Sequence, residues 1–191
     1  MHFQKAREYV LNRLQQELPH NLYYHGIHHT LDVCGAIEQL ARYENVSDED
    51  LVLLRTAGLY HDIGFVERYR NNEPLASRIA RETLPQFGYS PEQIDIICLI
   101  ILATQIPQRP VTHLEMIMCD ADLDYLGRED FYKVSETLYR EWLEFGIISS
   151  LEEWNCKQLH FFQQHQYFTK TAKAQREALK LKHFSELQRL L

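Results

Sequence analysis

The sequence predicts a single all-α domain, on three observations. Apolar residues recur at helical spacing along the whole chain, only seven glycines and six prolines interrupt them, and polar caps stand in front of one segment after another. No segment alternates polar and apolar residues for long enough to make a strand. No linker, repeat or low-complexity stretch divides the 191 residues, and a chain of this length buries a substantial core as one unit.

Nine helices are predicted, at about 3–18, 28–44, 48–63, 74–87, 91–104, 112–126, 129–145, 150–166 and 169–190. Ser47 opens the third, with Glu49 and Asp50 in its first turn. Ser90-Pro91-Glu92-Gln93 supplies a cap, a first-position proline and a polar residue three positions on. Thr112-x-x-Glu115 and Ser150-x-x-Glu153 are capping-box patterns. Stops stand at Pro19, Gly64, Gly88, Pro107 to Pro110 and Gly146.

Composition excludes several function classes. A net charge of −7 argues against a general nucleic-acid binder, which needs a basic surface, but leaves a small anionic substrate open. No apolar run approaches the ~18–20 residues of a membrane span. The opening "MHFQKAREYVLNRL" lacks the uncharged core of a signal peptide, so a cytoplasmic protein with no membrane partner is expected. The four cysteines (Cys34, Cys98, Cys119, Cys156) form no C-x-x-C pair, and the first three read as reduced core thiols.

The ten histidines are informative by placement. "YYHGIHHTLDV" holds His25, His28 and His29. On a helix, His29 shares a face with Val33, Ala36, Ile37 and Leu40, the stripe that packs on a core. His28 shares its face with Asp32, Gly35 and Gln39, which reads as solvent or a pocket rim. "LLRTAGLYHDIG" is an apolar helix ending in His61-Asp62, two ionisable groups that burial makes costly unless something compensates them. Gly58, one turn before both, leaves room for another helix or a ligand. In "LEMIMCDADLDYLG", Asp122 falls on the stripe of Leu114, Met118, Ala121 and Tyr125, whereas Asp120 lies about 200° of rotation away. His29, His61, Asp62 and Asp122 thus offer two imidazoles and two carboxylates from three helices. That donor set suits one divalent ion among Mn²⁺, Fe²⁺, Co²⁺, Ni²⁺, Zn²⁺ and Mg²⁺.

The ordered pattern H…HD…D over about residues 23–127 resembles the HD-domain superfamily of metal-dependent phosphohydrolases. By that resemblance the four residues are metal ligands, in an all-α bundle of HD type whose C-terminal extension covers about 128–191. Tyr24-His25, followed four residues on by His29 opening "HTLDV", is also similar to a cyclic-nucleotide phosphodiesterase signature. This resemblance gives His25 the place of the proton donor to the leaving oxygen. "ADLDYL" resembles the segment of the last metal-binding aspartate and favours Asp122, while some members align on Asp120. Alarmone hydrolases carry a Glu-Asp pair where this chain has Phe65 and Val66, so that activity is not expected. The one histidine between Asp62 and Asp122 is His113, and Thr104 stands where a further ligand would, so one metal ion is expected rather than two.

The reaction implied is hydrolysis of a phosphate monoester or diester, of a nucleotide or a nucleotide-like small molecule. Asp62 can position the attacking water through its free oxygen, and His25 can protonate the departing alkoxide. Arg68, Arg70 and Arg78 are candidates to bind phosphate oxygens, because the guanidinium fork suits them. Glu73 reads either as a residue supporting the metal ligands from behind or, the preferred reading, as part of the acidic first turn of the next helix. His160 and His165 read as packing or surface residues. A catalytically silent nucleotide-binding sensor and an iron-dependent HD oxygenase are the rival readings. The last helix can cover the core or meet a second copy in a homodimer.

Overall fold

The computed structural model describes residues 1–190 and contains, among them, nine α-helices and no strand. They are α1 (Phe3–Glu17), α2 (Ile27–Tyr43), α3 (Asp48–Tyr60), α4 (Asn72–Thr83), α5 (Pro91–Ala103), α6 (His113–Asp122), α7 (Phe131–Glu144), α8 (Leu151–Gln164) and α9 (Lys170–Leu187). None is long and apolar enough to cross a membrane.

The caps act as the sequence indicates. Ser47 accepts from the Asp50 amide, and Ser90/Gln93 and Thr112/Glu115 are complete capping boxes. The fourth pattern is half made. Ser150 accepts from the Glu153 amide, but the Glu153 side chain reaches back to the amide of Ser149.

Three helices end earlier than their periodicity predicts, each for a local reason. Pro85 has no amide hydrogen for the α ladder, so α4 gives way to a 3₁₀ turn at Leu84–Phe87, closed by Gly88 at φ +74°. α3 stops at Tyr60, and Ile63–Val66 forms a second 3₁₀ turn. A Cβ on Gly64 would stand 2.4 Å from the Asn72 carbonyl oxygen, so a glycine is needed for the start of α4 to lie this close. α6 stops at Asp122, and Asp124–Gly127 forms the third turn. His61-Asp62 and Asp122 therefore sit at bends, where their side chains can converge.

Two apolar clusters build the interior. The larger joins α1 to α6, with Tyr60, Ile63, Ile97 and Ile101 among its fully buried members. The smaller joins Tyr24, Leu123, Leu126, Phe131, Phe162 and Leu187. At Gly58 the gap is taken by α2, where an added Cβ would meet Ile37 Cδ1 at 2.6 Å. Cys98 and Cys119 are buried thiols, and Cys34 is half-buried.

The C-terminal third is tied to the rest by polar contacts. Asp120, fully buried, accepts from the amides of Phe168 and Thr169 at 2.8 Å each and from the Thr169 hydroxyl at 2.7 Å. Burial pushes its carboxyl up to about 6 against those donors. Thr169 in turn caps α9. Arg176 of α9 grips Asp124 (Nε to Oδ1 2.6 Å), and His183 Nδ1 donates to the Leu126 carbonyl. α9 thus covers the core of its own chain.

Gly127 marks the tightest point of this docking. An added Cβ would lie 2.4 Å from the Arg176 carbonyl oxygen and 2.8 Å from its Cα, atoms that cannot swing away. Gly127→Ala is expected to cost about 1–3 kcal/mol through this overpacking. Thermal unfolding should show a Tm lower by several degrees; an unchanged Tm would contradict the close docking of α9.

Candidate metal centre

His29 lies on the buried face of α2, His61 just past the end of α3, and Asp122 at the end of α6. Their ligand atoms come together as one group able to hold a metal ion. His29 Nε2 stands 3.2 Å from Asp122 Oδ1, and His61 Nε2 stands 3.5 Å from the same oxygen. The two Nε2 atoms are 3.3 Å apart. Asp62 stands beside this group of three, with Oδ2 at 3.2 Å from His61 Nε2 and 3.5 Å from His29 Nε2.

The orientation of each group has a cause. His61 Nδ1 lies 2.8 Å from the Gly58 carbonyl oxygen, which can only accept, so Nδ1 carries the hydrogen and Nε2 presents its lone pair. Asp62 sits in the bridge region of backbone space (φ −107°, ψ 4°), common for active-site residues. Its Oδ1 accepts from Asn72 Nδ2 at 2.9 Å, which turns Oδ2 toward the imidazoles. Asn72 also donates to the His61 carbonyl, and so fixes the bend from outside.

The residues fit a divalent ion. Asp62 Oδ2 is buried with no hydrogen-bond partner, a costly state for a carboxylate oxygen that a cation would relieve. Bonds of ~2.0–2.2 Å to nitrogen and oxygen give ligand-to-ligand edges of about 3.0–3.5 Å, the length of the edges seen here. The local field is strongly negative. Burial works against a charged His61, yet the Asp62 and Asp122 carboxylates outweigh it and raise its pKa well above the imidazole range. Burial likewise opposes ionised Asp62 and Asp122, and the facing imidazoles nevertheless hold both below the ordinary carboxylate value.

The other predicted site residues divide. His25 lines the same cavity as the four, and its ring stacks on Phe65 at 4.3 Å. Its Nδ1 pairs with Glu141 Oε1 of α7. Glu141 also accepts from the amides of Tyr24 (2.8 Å) and His25 (3.0 Å) and from the Tyr69 hydroxyl (2.9 Å). Burial would lift the Glu141 carboxyl, but the His25 imidazole and the amides of Tyr24 and His25 hold it below its usual value. Burial also opposes charge on His25; the Glu141 hydrogen bond and the nearby carboxylates prevail and raise its pKa. Sequence reasoning missed Glu141, although it falls on the stripe of α7 that includes Phe131, Val134 and Leu138.

Arg68, Arg70 and Arg78 are not brought to the cavity. All three are exposed, and Arg78 is engaged with Glu67 and Glu82. The reason is helical phase: α4 buries Ala76, Ser77, Ile79 and Ala80, which turns Arg78 outward. Glu73 does more than the first-turn reading allows, since it lines the cavity. The Asp62 oxygen expected to be free is occupied by Asn72. His28 is exposed and faces a separate groove with Asp32 and Arg128. His113 pairs at the surface with Glu44, His160 is exposed, and His165 is half-buried away from the four ligand atoms.

Metal analysis of purified variants separates the two acids of α6. Asp122→Asn and His61→Ala are expected to lose bound metal, whereas Asp120→Asn should keep it and melt at lower temperature. Loss of metal in Asp120→Asn alone would overturn the assignment. A chelator should lower the wild-type Tm, because an ion bound only by the folded state stabilises it.

Comparison with known proteins is consistent with this geometry. The family profile described as HD domain matches residues 26–124, more than half of the 191-residue chain and the segment that holds His29, His61, Asp62 and Asp122. Searches of curated proteins and of solved structures give no match. With the profile aligned over these residues and an all-helical fold around them, the chain belongs to the HD-domain superfamily.

Proposed function

We propose that the protein hydrolyses a small phosphate ester at a centre where His29, His61, Asp62 and Asp122 hold one divalent ion. The observation that carries this reading is the His25–Glu141 pair, a second ionisable device on the wall of the cavity that the four ligand residues share. When bound, a divalent ion supplies Lewis acidity toward a phosphoryl oxygen and a nucleophile from water at neutral pH.

The chain's own residues supply the rest. Glu141 takes the Nδ1 hydrogen of His25, so Nε2 is the nitrogen left for the cavity. An imidazolium held there can give its proton to the departing alkoxide, and the Glu141 partner that raises its pKa favours this charged form. Two backbone amides and the Tyr69 hydroxyl fix Glu141, and Phe65 fixes the ring of His25. Phe65 thus has a positioning role where alarmone hydrolases carry an acid. With the three arginines facing away, phosphate charge is left to the ion and His25. A silent sensor would have no use for a proton donor buried against a carboxylate. An oxygenase with two ions would need a second donor group, and among the described residues one group is found.

Turnover of a panel of phosphomonoesters and phosphodiesters tests the proposal. His25→Ala should lower kcat by about 10²–10⁴-fold, the usual contribution of a positioned acid, and leave metal content intact. His25 must be protonated to act, so activity should fall as pH rises through its pKa. Glu141→Gln removes the partner that raises that pKa and should move the alkaline limb to lower pH. Metal-loaded protein inactive on every ester, or a His25→Ala variant of undiminished kcat, would sink the reading.

A further inference from the structure

The wall of the cavity opposite the ligand residues has no part in the chemistry above, and its composition is specific. The cavity holds about 180 Å³. Leu138 and Trp142 of α7 and Trp154, Phe161 and Phe162 of α8 line this wall. Trp142 and Trp154 meet edge to face at 5.4 Å between ring centroids. Lys157 is the one lysine or arginine among the lining residues; it is 44% exposed and lies 3.5 Å from Glu153. Against it stand three lining carboxylates, Asp62, Glu73 and Asp122. The buried amide of Gln158 turns its Nε2 to the Ser135 hydroxyl.

We infer that the substrate is a phosphoester with a single phosphoryl group whose organic part is apolar and about the size of one ring, an aryl, aralkyl or branched alkyl group seated against the tryptophan wall. The assignment rests on the phosphohydrolase reading of the centre for its phosphate half. Three arguments carry the other half. The volume limits the size, since about 180 Å³ must take the phosphoryl group and the organic part together, and a cavity of ~150 Å³ is what benzene alone occupies. The lining is right, since aromatic rings gain most when their faces and edges meet other rings and water is displaced. The charge is right, because beyond the residues assigned to the ion the lining adds one carboxylate, Glu73, and one cation, Lys157, already near Glu153, so a polyphosphate chain would meet no free positive charge. An ion and His25 suffice for one phosphoryl group and leave nothing for a second or third.

The two wall tryptophans are the only two of the chain, so intrinsic fluorescence reports this wall alone. The purified metal-containing protein is titrated with benzylphosphonate and with methylphosphonate, neither of which can be hydrolysed at an ester bond. Benzylphosphonate is expected to bind at least about tenfold more tightly and to change tryptophan emission, since a single methylene in an apolar pocket is worth ~10–200-fold. In parallel, benzyl phosphate, ethyl phosphate, a nucleoside monophosphate and a nucleoside triphosphate are compared as substrates. Benzyl and ethyl alkoxides are of similar basicity, so a kcat/KM ratio of about ten or more between them reports binding of the ring. Trp142→Ala and Phe161→Ala should each shrink that ratio, and because both residues are only partly buried the variants should fold; circular dichroism checks this. The wild-type comparison stands without them. Equal affinities for the two phosphonates, binding without an emission change, or a nucleotide preferred over benzyl phosphate would overturn the inference. Hydrolysis without benzyl preference sinks the substrate class alone. Benzylphosphonate preference without hydrolysis of any ester sinks the phosphohydrolase reading and leaves the apolar wall assigned.

Discussion

Two imidazoles packed within 3.5 Å of each other and of two carboxylates inside a protein are unstable company unless a positive charge lies among them. The architecture around Asp62 and Asp122 answers to that constraint. α3 and α6 each end at the acid they deliver, and a 3₁₀ turn carries the chain away from the crowded point. Gly64 lets α4 approach closely enough for Asn72 to hold one oxygen of Asp62, which commits the other to the interior. The Gly58 carbonyl chooses the tautomer of His61. Each is a local feature with a common result, a compact group of His29, His61 and Asp122 with an Asp62 oxygen turned toward its imidazoles.

The C-terminal third changes what such a centre can do. The family-matched segment ends at residue 124, and everything that shapes the far wall of the cavity lies beyond it. α7 brings Glu141 and Trp142, successive residues that point about 100° apart around the helix, one to the His25 side and the other to the apolar wall. α9 never enters the cavity. It braces the bend that follows Asp122, through Arg176 on Asp124 and through the Thr169 cap that shares its hydroxyl with Asp120. Two acids two residues apart on α6 thus divide the labour: Asp120 holds the scaffold and Asp122 faces the centre.

Much of this was legible in the sequence because burial imposes helical periodicity. His29 inside and His28 outside, Asp122 on the stripe and Asp120 off it, follow from angular position alone, and the nine helices and most of their caps follow from the same rules. The early ends of α3 and α6 were not legible, because apolar spacing continues through the 3₁₀ turns and only Gly64 hints at a break. Arg78 could have been excluded by applying to α4 the phase argument used on α2. Glu141 is the instructive omission. An acid on an apolar stripe is as much a signal on α7 as at Asp122, but its partner His25 is 116 positions away and no spacing links them. The walls of the cavity belong to tertiary packing, which one-dimensional patterns do not encode.

The bond between Glu141 and the backbone of Tyr24 and His25 also has a temporal meaning. During synthesis Asp122 leaves the ribosome before Glu141 does, so the proposed ligand set is complete while His25 still lacks its anchor. The chain would then pass through a stage able to bind an ion but not to deliver a proton. Competence would arrive only when a late helix reaches back and locks an early loop. The same division separates two kinds of change: substitutions in α7 and α8 would alter the proposed chemistry while leaving the group of His29, His61 and Asp122 in place.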